Sequence, residues 1–216
     1  SGTDGDISIR RNYGDDARSE VILDGSNNVI LVSCTQSADF PVSPSTPIQN
    51  KFGGGTQDGV ILKFSPNLNS VLFSTFYGGN GDDACFVVSL NPVTGNLYVA
   101  GATTSTNLPG NKTGVLTPTF QGGVCDGYVT ELMSDGSALL KTTYQGTGGA
   151  DLVYGLKFDN FGFPYIMGTT TGTCEIMLAT VPIVVESILP QLSIARILNT
   201  SPVSVPGTLS IVILAD

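Results

Sequence analysis

The sequence contains no histidine and no tryptophan, and only 12% of its 216 residues are charged. Without histidine, a Ser-His-Asp or Cys-His relay lacks its usual base, and the common zinc sites lose their nitrogen donor. The 18 Asp and Glu residues outnumber nine Lys and Arg residues, which gives a net charge of −9. No basic surface can then gather the phosphate contacts that nucleic-acid binding requires. We therefore expect neither an enzyme nor a nucleic-acid-binding protein.

Long apolar runs are also absent. None reaches the roughly 18 residues of a membrane helix, so no membrane insertion is expected. No secretory signal is visible, and a start at Ser1-Gly2-Thr3 fits a terminus from which a signal has been removed. The low charge and its acidic balance fit a protein that is secreted or exposed on a bacterial cell surface.

Cysteine is scarce, with four residues at Cys34, Cys85, Cys125 and Cys174. None forms a CxxC motif, and four cysteines allow three disulfide pairings. Cys85 and Cys125 lie in the same sequence repeat, each close to a repeated Asp, so they are our first choice for a disulfide. The alternative is that the cysteines are buried free thiols.

The most prominent feature of the sequence is a repeat with a spacing of 67 to 68 residues. The segment Asp15-Asp16-Ala17 recurs as Asp82-Asp83-Ala84 and, more weakly, as Ala150-Asp151-Leu152. A fixed period of this length indicates one structural unit copied along the chain. We divide one structural domain into repeat 1 (15–81), repeat 2 (82–149) and a divergent repeat 3 (150–216). Residues 1–14 are expected to be the last strand of a preceding blade or an N-terminal extension.

Each repeat contains four short runs rich in β-branched and aromatic residues, bounded by turn-forming residues. The chain has 27 Gly and 12 Pro, and Pro182 and Pro190 argue against a helix in the apolar stretch 175–198. We therefore predict an all-β repeat protein with three four-stranded antiparallel blade-like units. These units form a complete or partial β-propeller, and a three-sheet prism is the alternative. Closed propellers need about four blades or more, so three should not close alone.

Several separated motifs occur twice in the same order. They are Ser37-Ala38-Asp39-Phe40-Pro41-Val42, Asp58-Gly59-Val60-Ile61-Leu62-Lys63, Ser74-Thr75-Phe76-Tyr77-Gly78-Gly79 and Asn96-Leu97-Tyr98-Val99-Ala100-Gly101 with their counterparts. Over about residues 12 to 172 the chain resembles the SBBP, or bacterial β-propeller repeat, family. The resemblance implies a propeller architecture and a place in a large secreted or outer-surface bacterial protein. It implies no reaction, and the sequence after Thr173 departs from the pattern.

Two acidic pairs are candidate metal ligands. Asp15 and Asp16 follow Tyr13-Gly14, and Asp82 and Asp83 follow a Gly-Asn-Gly turn. Calcium binds carboxylate and carbonyl oxygens that flexible turns can supply, so these four residues form our candidate calcium site. The alternative is that the carboxylates accept hydrogen bonds from loop amides and fix the turns. No other cofactor is expected.

Long loops between the second and third strands carry the functional hypotheses, because loops of this length are often functional. Our main hypothesis is a non-catalytic extracellular module for adhesion, display or assembly of a bacterial surface protein or filament. Its partners would be other protein domains or copies of itself. The alternative is a domain that binds surface glycans or other ligands with the loops 41–55 and 107–125.

Overall fold

The computed structural model describes residues 19–43 and 48–172, together with the backbone of residues 213–214. These residues form strands and connecting turns, and they contain no helix. The strands are β1 (Glu20–Leu23), β2 (Val29–Thr35), β3 (Asp58–Phe64), β4 (Val71–Tyr77), β5 (Asp83–Leu90), β6 (Leu97–Thr103), β7 (Asp126–Leu132), β8 (Leu139–Gln145), β9 (Asp151–Phe158), β10 (Pro164–Thr170) and β11 (Ile213–Leu214).

Every strand pairs antiparallel with the strand beside it. The first sheet has the order β1-β2-β3-β4 and the second has the order β5-β6-β7-β8. The third sheet contains β9 and β10, and the backbone of β11 pairs with β10. The prediction of all-β antiparallel units is therefore confirmed, with four strands in each of the first two repeats. The sheets do not form a closed barrel within the described residues, and most of the second half of repeat 3 lies outside them.

The first connection of each sheet is a turn built on one polar residue. In the first sheet, Asp24 Oδ1 accepts hydrogen bonds from the backbone nitrogens of Ser26 and Asn28, at 2.8 and 2.9 Å. Asn91 and Asp159 accept equivalent bonds in the second and third sheets. Side chains that hydrogen-bond the backbone two residues on stabilise such turns, so the same local chemistry sets the strand register three times.

The sheets stack face to face in chain order. Strand β5 contacts all four strands of the first sheet, and β9 contacts all four strands of the second. We call the side of a sheet turned toward the preceding sheet its leading face, and the opposite side its trailing face. One core forms where the trailing face of the first sheet (Ile30, Val32, Ile61, Phe73, Tyr77) meets the leading face of the second (Val88, Leu97, Val99, Tyr128, Leu132). We call this the first junction.

The second junction repeats the arrangement. The trailing face of the second sheet (Val87, Ala100, Ala102, Val129) packs against the leading face of the third (Leu152, Val153, Leu156, Ile166). Alternate residues of one strand serve opposite junctions, as Val99 and Ala100 do on β6, because successive side chains in a strand point to opposite sides. The second sheet is therefore buried on both faces.

Polar contacts tie the first two sheets together as well. The Tyr77 hydroxyl lies 3.0 Å from Thr142 Oγ1 on β8. Lys63 Nζ donates to the Ser134 carbonyl oxygen at 3.0 Å and pairs with Asp24 Oδ2 at 2.9 Å. These contacts fix the alignment of the sheets, which apolar packing alone specifies less strictly.

Candidate functional site

Buried aspartates mark the same end of the stack in successive repeats. Asp58 and Asp126 begin the third strands of their sheets, and Asp83 and Asp151 begin the first strands of the next. Asp58, Asp83 and Asp126 are fully buried, and Asp151 is nearly so. A buried carboxylate requires hydrogen bonds or a proton, so the partners of these groups decide what they can do.

Asp82 and Asp83, two of the candidate calcium ligands, are engaged with protein donors. Asp83 Oδ2 accepts from the Gly79 nitrogen and from Ser105 Oγ, both at 2.7 Å, and Thr103 Oγ1 donates to its Oδ1. Burial raises the pKa of Asp83 to about 7, although these three donors act in the opposite direction. Asp82 Oδ1 accepts from the backbone nitrogen of Thr56 at 2.6 Å. Both carboxylates therefore tie loops together.

Asp151 has the same role in the next repeat. Its Oδ2 accepts from the Thr147 nitrogen at 2.7 Å and from Thr147 Oγ1 at 3.0 Å. The Thr147 nitrogen occupies the repeat position of the Gly79 nitrogen. The repeated Asp at the start of a sheet is thus an anchor for the loop that crosses from the preceding sheet.

Asp58 and Asp126 each use one oxygen and leave the other unpartnered. Oδ2 of Asp58 accepts from the Gly53 nitrogen at 2.5 Å, and Oδ2 of Asp126 from the Gln121 nitrogen at 2.6 Å. Oδ1 of each is buried and has no hydrogen-bond partner. Burial raises the pKa of Asp58 to about 6 and that of Asp126 to about 7, and a neighbouring carboxylate adds to each rise. Burial of an oxygen without a partner therefore favours the protonated acid at each site well above the ordinary carboxyl pKa.

The structure describes only two of the four candidate calcium ligands, Asp82 and Asp83. Asp15 and Asp16 lie outside the described residues. Over residues 19–43 and 48–172, no group of three or more His, Cys, Asp or Glu side chains is placed to hold a metal ion. The hydrogen bonds of Asp82 and Asp83 favour the alternative that these residues fix turns.

The expected disulfide is not formed, because Cys34, Cys85 and Cys125 are free thiols. Cys85 lies in the core of the first junction, where its sulfur is 3.1 Å from the Tyr128 hydroxyl. Cys125 lies in the core of the second junction beside Ala150. The two side chains face opposite sides of the second sheet, so membership of the same repeat does not bring them together. Cys174 lies outside the described residues.

The two long loops that were candidate ligand sites share one packing role, because Phe120 packs edge-on against Tyr144 as Phe52 does against Phe76. Phe40 and Phe52, at the borders of the first loop, pack edge-on against Phe76 with ring centroids 5.9 Å apart. They cover the outer half of the leading face of the first sheet. In the second loop, residues 114–116 line a cavity between the second and third sheets.

That cavity has a volume of about 480 Å³. Its walls combine apolar side chains with one pair of opposite charges, Glu131 and Lys141, which lie directly opposite each other on β7 and β8. Tyr98 and Ile166, which belong to the second junction, also line it. The sequence analysis did not identify this charged pair. The signal that could have found it is a difference between the repeats, because repeat 1 has Lys63 and Phe73 at the equivalent positions. A cavity of this size and composition is within the range of small-molecule sites.

Comparison with known proteins adds no identification. No model of a known protein family matches the chain, and no curated protein matches it either. Among the described residues, no helix is long and apolar enough to cross a membrane.

Proposed function

We propose that this chain is a non-catalytic extracellular β-repeat module, a segment of a β-propeller, which serves adhesion, display or assembly of a bacterial surface protein or filament. The observation that carries the proposal is that the polar and apolar groups common to the repeats join one sheet to the next. Asp83 and Asp151 anchor loops, and the apolar faces pack sheet on sheet. Stacked repeats of this kind act through their surfaces and not through one motif.

The burial of the acidic groups supports a role without catalysis. Paired-carboxylate chemistry needs two acids that reach a substrate. Asp58, Asp83 and Asp126 are fully buried beneath loops, so none of them is available to a substrate in this conformation.

The state of the thiols is consistent with secretion. Burial raises the pKa of Cys85 strongly and that of Cys125 to about 12. The thiolate is the reactive form, and Cys85 and Cys125 are fully buried, so both of these thiols have little access to oxidants. The resemblance to the SBBP repeat supports the same location.

The propeller stays our proposed architecture because four-stranded antiparallel sheets that pack one on the next in chain order are the building units of propeller blades.

Surface display tests this function. The chain is fused to an outer-surface anchor in a non-adherent bacterium, and cells carrying the anchor alone are the control. We expect the displaying cells to aggregate or to bind immobilised protein or polysaccharide, and no binding above the control contradicts the proposal. A hydrolase assay complements it: a turnover that Asp83→Asn abolishes while the variant stays folded contradicts a non-catalytic role.

The cavity between the second and third sheets favours a second candidate function, the binding of a small polar–apolar ligand such as a glycan unit. Lys141 and Glu131 would orient the ligand, and Tyr98 would provide an apolar wall. A glycan array probed with the wild-type chain and with Lys141→Ala tests this. Loss of a specific signal in the variant supports ligand binding, and an array without signal opposes it.

A further inference from the structure

The leading face of the first sheet is open where the equivalent face of the second sheet is covered. Val21 and Leu23 on β1 are 59% and 58% exposed. The repeat counterpart of Val21 is Val88, which is 1% exposed because the first sheet covers it. The strand pairings are equivalent as well, since Val21 lies opposite Leu31 and Val88 lies opposite Val99. The first sheet therefore presents a surface that the repeat is built to bury.

The trailing face of the third sheet is open in the complementary way. Tyr165 and Met167 on β10 are 38% and 49% exposed. Met167 occupies the repeat position of Val32 and Ala100, and both of these are fully buried in the two junctions. Among the described residues, the two ends of the stack thus expose the two kinds of face that join at each junction.

We propose that the leading face of the first sheet binds the trailing face of the third sheet in a second copy of this chain. Two copies then close one ring through two identical contacts. The proposal rests on the proposed assembly function and names the partner. The two junctions within the chain support this partner, because each of them joins one trailing face to one leading face.

The number of blades in a closed propeller favours an assembly of two copies of the chain. Closed propellers typically have about four to eight blades. The described residues of one chain form three sheets. Two copies give six sheets, within this range, and three copies give nine, outside it. A head-to-tail contact that closes gives a ring, and one that does not close gives an open filament.

The rest of the chain is less suited to cover the first sheet. Residues 1–18, which precede β1, are rich in Asp and Arg, and burying these charges against an apolar face would be unfavourable. Residues 173–216 are more apolar, but β11 within them pairs with β10 in the third sheet, at the other end of the stack. A second copy supplies the complementary surface directly.

Sedimentation equilibrium of the full chain over a wide concentration range tests the inference. We expect a species of twice the 22.4 kDa chain mass. Val21→Asp places a charge in an apolar contact, so it should weaken association by about 100-fold or more. Met167→Asp should do the same from the opposite face. Val93→Asp is the matched control, because Val93 is 64% exposed in a turn and belongs to neither face. Thermal unfolding establishes that each variant is folded.

Mixing the two defective variants reports how the copies are arranged. In a head-to-tail pair, Val21→Asp retains a sound trailing face and Met167→Asp a sound leading face. Their mixture has one intact contact, while both substituted faces meet at the other, so it should form an open heterodimer that is weaker than the wild-type dimer and stronger than the dimer of either variant alone. The inference is overturned if the wild-type chain stays monomeric at all concentrations, if Met167→Asp dimerises normally, or if the mixture associates no more strongly than either variant alone. A monomer that still promotes adhesion on cells would overturn this inference alone and leave the proposed function standing.

Discussion

Neutralising Asp126 should change how the stability of this protein depends on pH. Asp126 is fully buried, and its Oδ1 has no hydrogen-bond partner. Burial is the main cause that raises its pKa from 3.8 to about 7, with a contribution from the charge of Asp151. The variant Asp126→Asn keeps the shape and retains an oxygen acceptor for the Gln121 nitrogen, but it cannot ionise.

The sign and size of the effect follow from proton linkage. Between pH 4 and 7 the folded protein holds a proton on Asp126 that the unfolded chain has released, so the free energy of unfolding falls as pH rises through this range. The stabilisation is complete below the unfolded pKa of 3.8 and is lost above about 7. Each pKa unit corresponds to about 1.4 kcal/mol, so the full displacement corresponds to at most about 4 kcal/mol.

Urea unfolding of the wild-type protein and the variant at several pH values from 4 to 8.5 measures the effect. We expect Asp126→Asn to gain stability relative to wild type as pH rises, and to show a shallower pH profile. Asp135→Asn is the control, because Asp135 is exposed in a turn and its pKa is lowered by the hydrogen bonds from Ser137. A difference between wild type and Asp126→Asn that is the same at every pH would refute the reasoning.

Four further outcomes are expected from single measurements. Gly101→Ala should destabilise strongly, because its Cβ would collide with the Ala84 carbonyl oxygen, whereas Gly148→Ala, with open space around it, should have little effect; thermal unfolding compares the two. Tyr77→Phe should cost about 1 kcal/mol in urea unfolding, since it removes the hydroxyl contact between the first two sheets. Thiol titration of the denatured Cys174→Ala variant without reductant should give three free thiols, and fewer would restore the disulfide hypothesis. Millimolar calcium should leave the thermal midpoint unchanged relative to chelator; a rise that Asp15→Asn abolishes would instead locate a calcium site at the N-terminus.

The strands were predictable because each is a short apolar run between turn-forming residues. The residues at which the strands begin and end were harder to predict. In repeat 2 the first two apolar runs, Cys85–Leu90 and Leu97–Gly101, predict strands there, but β5 begins at Asp83 and β6 extends to Thr103, two residues further at each of these ends. Asp83 and Thr103 are polar and were expected in loops, yet they lie opposite each other and are fully buried. Their burial depends on donors from distant segments such as Ser105 and Gly79, which no local pattern reveals.

The failed disulfide shows a different limit. Sequence spacing indicated that Cys85 and Cys125 share a repeat, but not which face each side chain occupies. Strand β5 has a register shift between Cys85 and Val87, and a shift of one residue changes the face on which side chains lie. The cavity residues Glu131 and Lys141 were missed for a related reason, because their proximity depends on cross-strand register.

The order of the strands also affects how the chain can fold as it is made. In the first two sheets, each strand pairs only with the strands next to it in sequence, and each complete sheet packs on the one formed just before it. No strand of these sheets has to wait for a distant segment of the chain before it finds its hydrogen-bonding partner. Folding can therefore proceed one repeat at a time from the N-terminal side, each finished sheet acting as the template for the next.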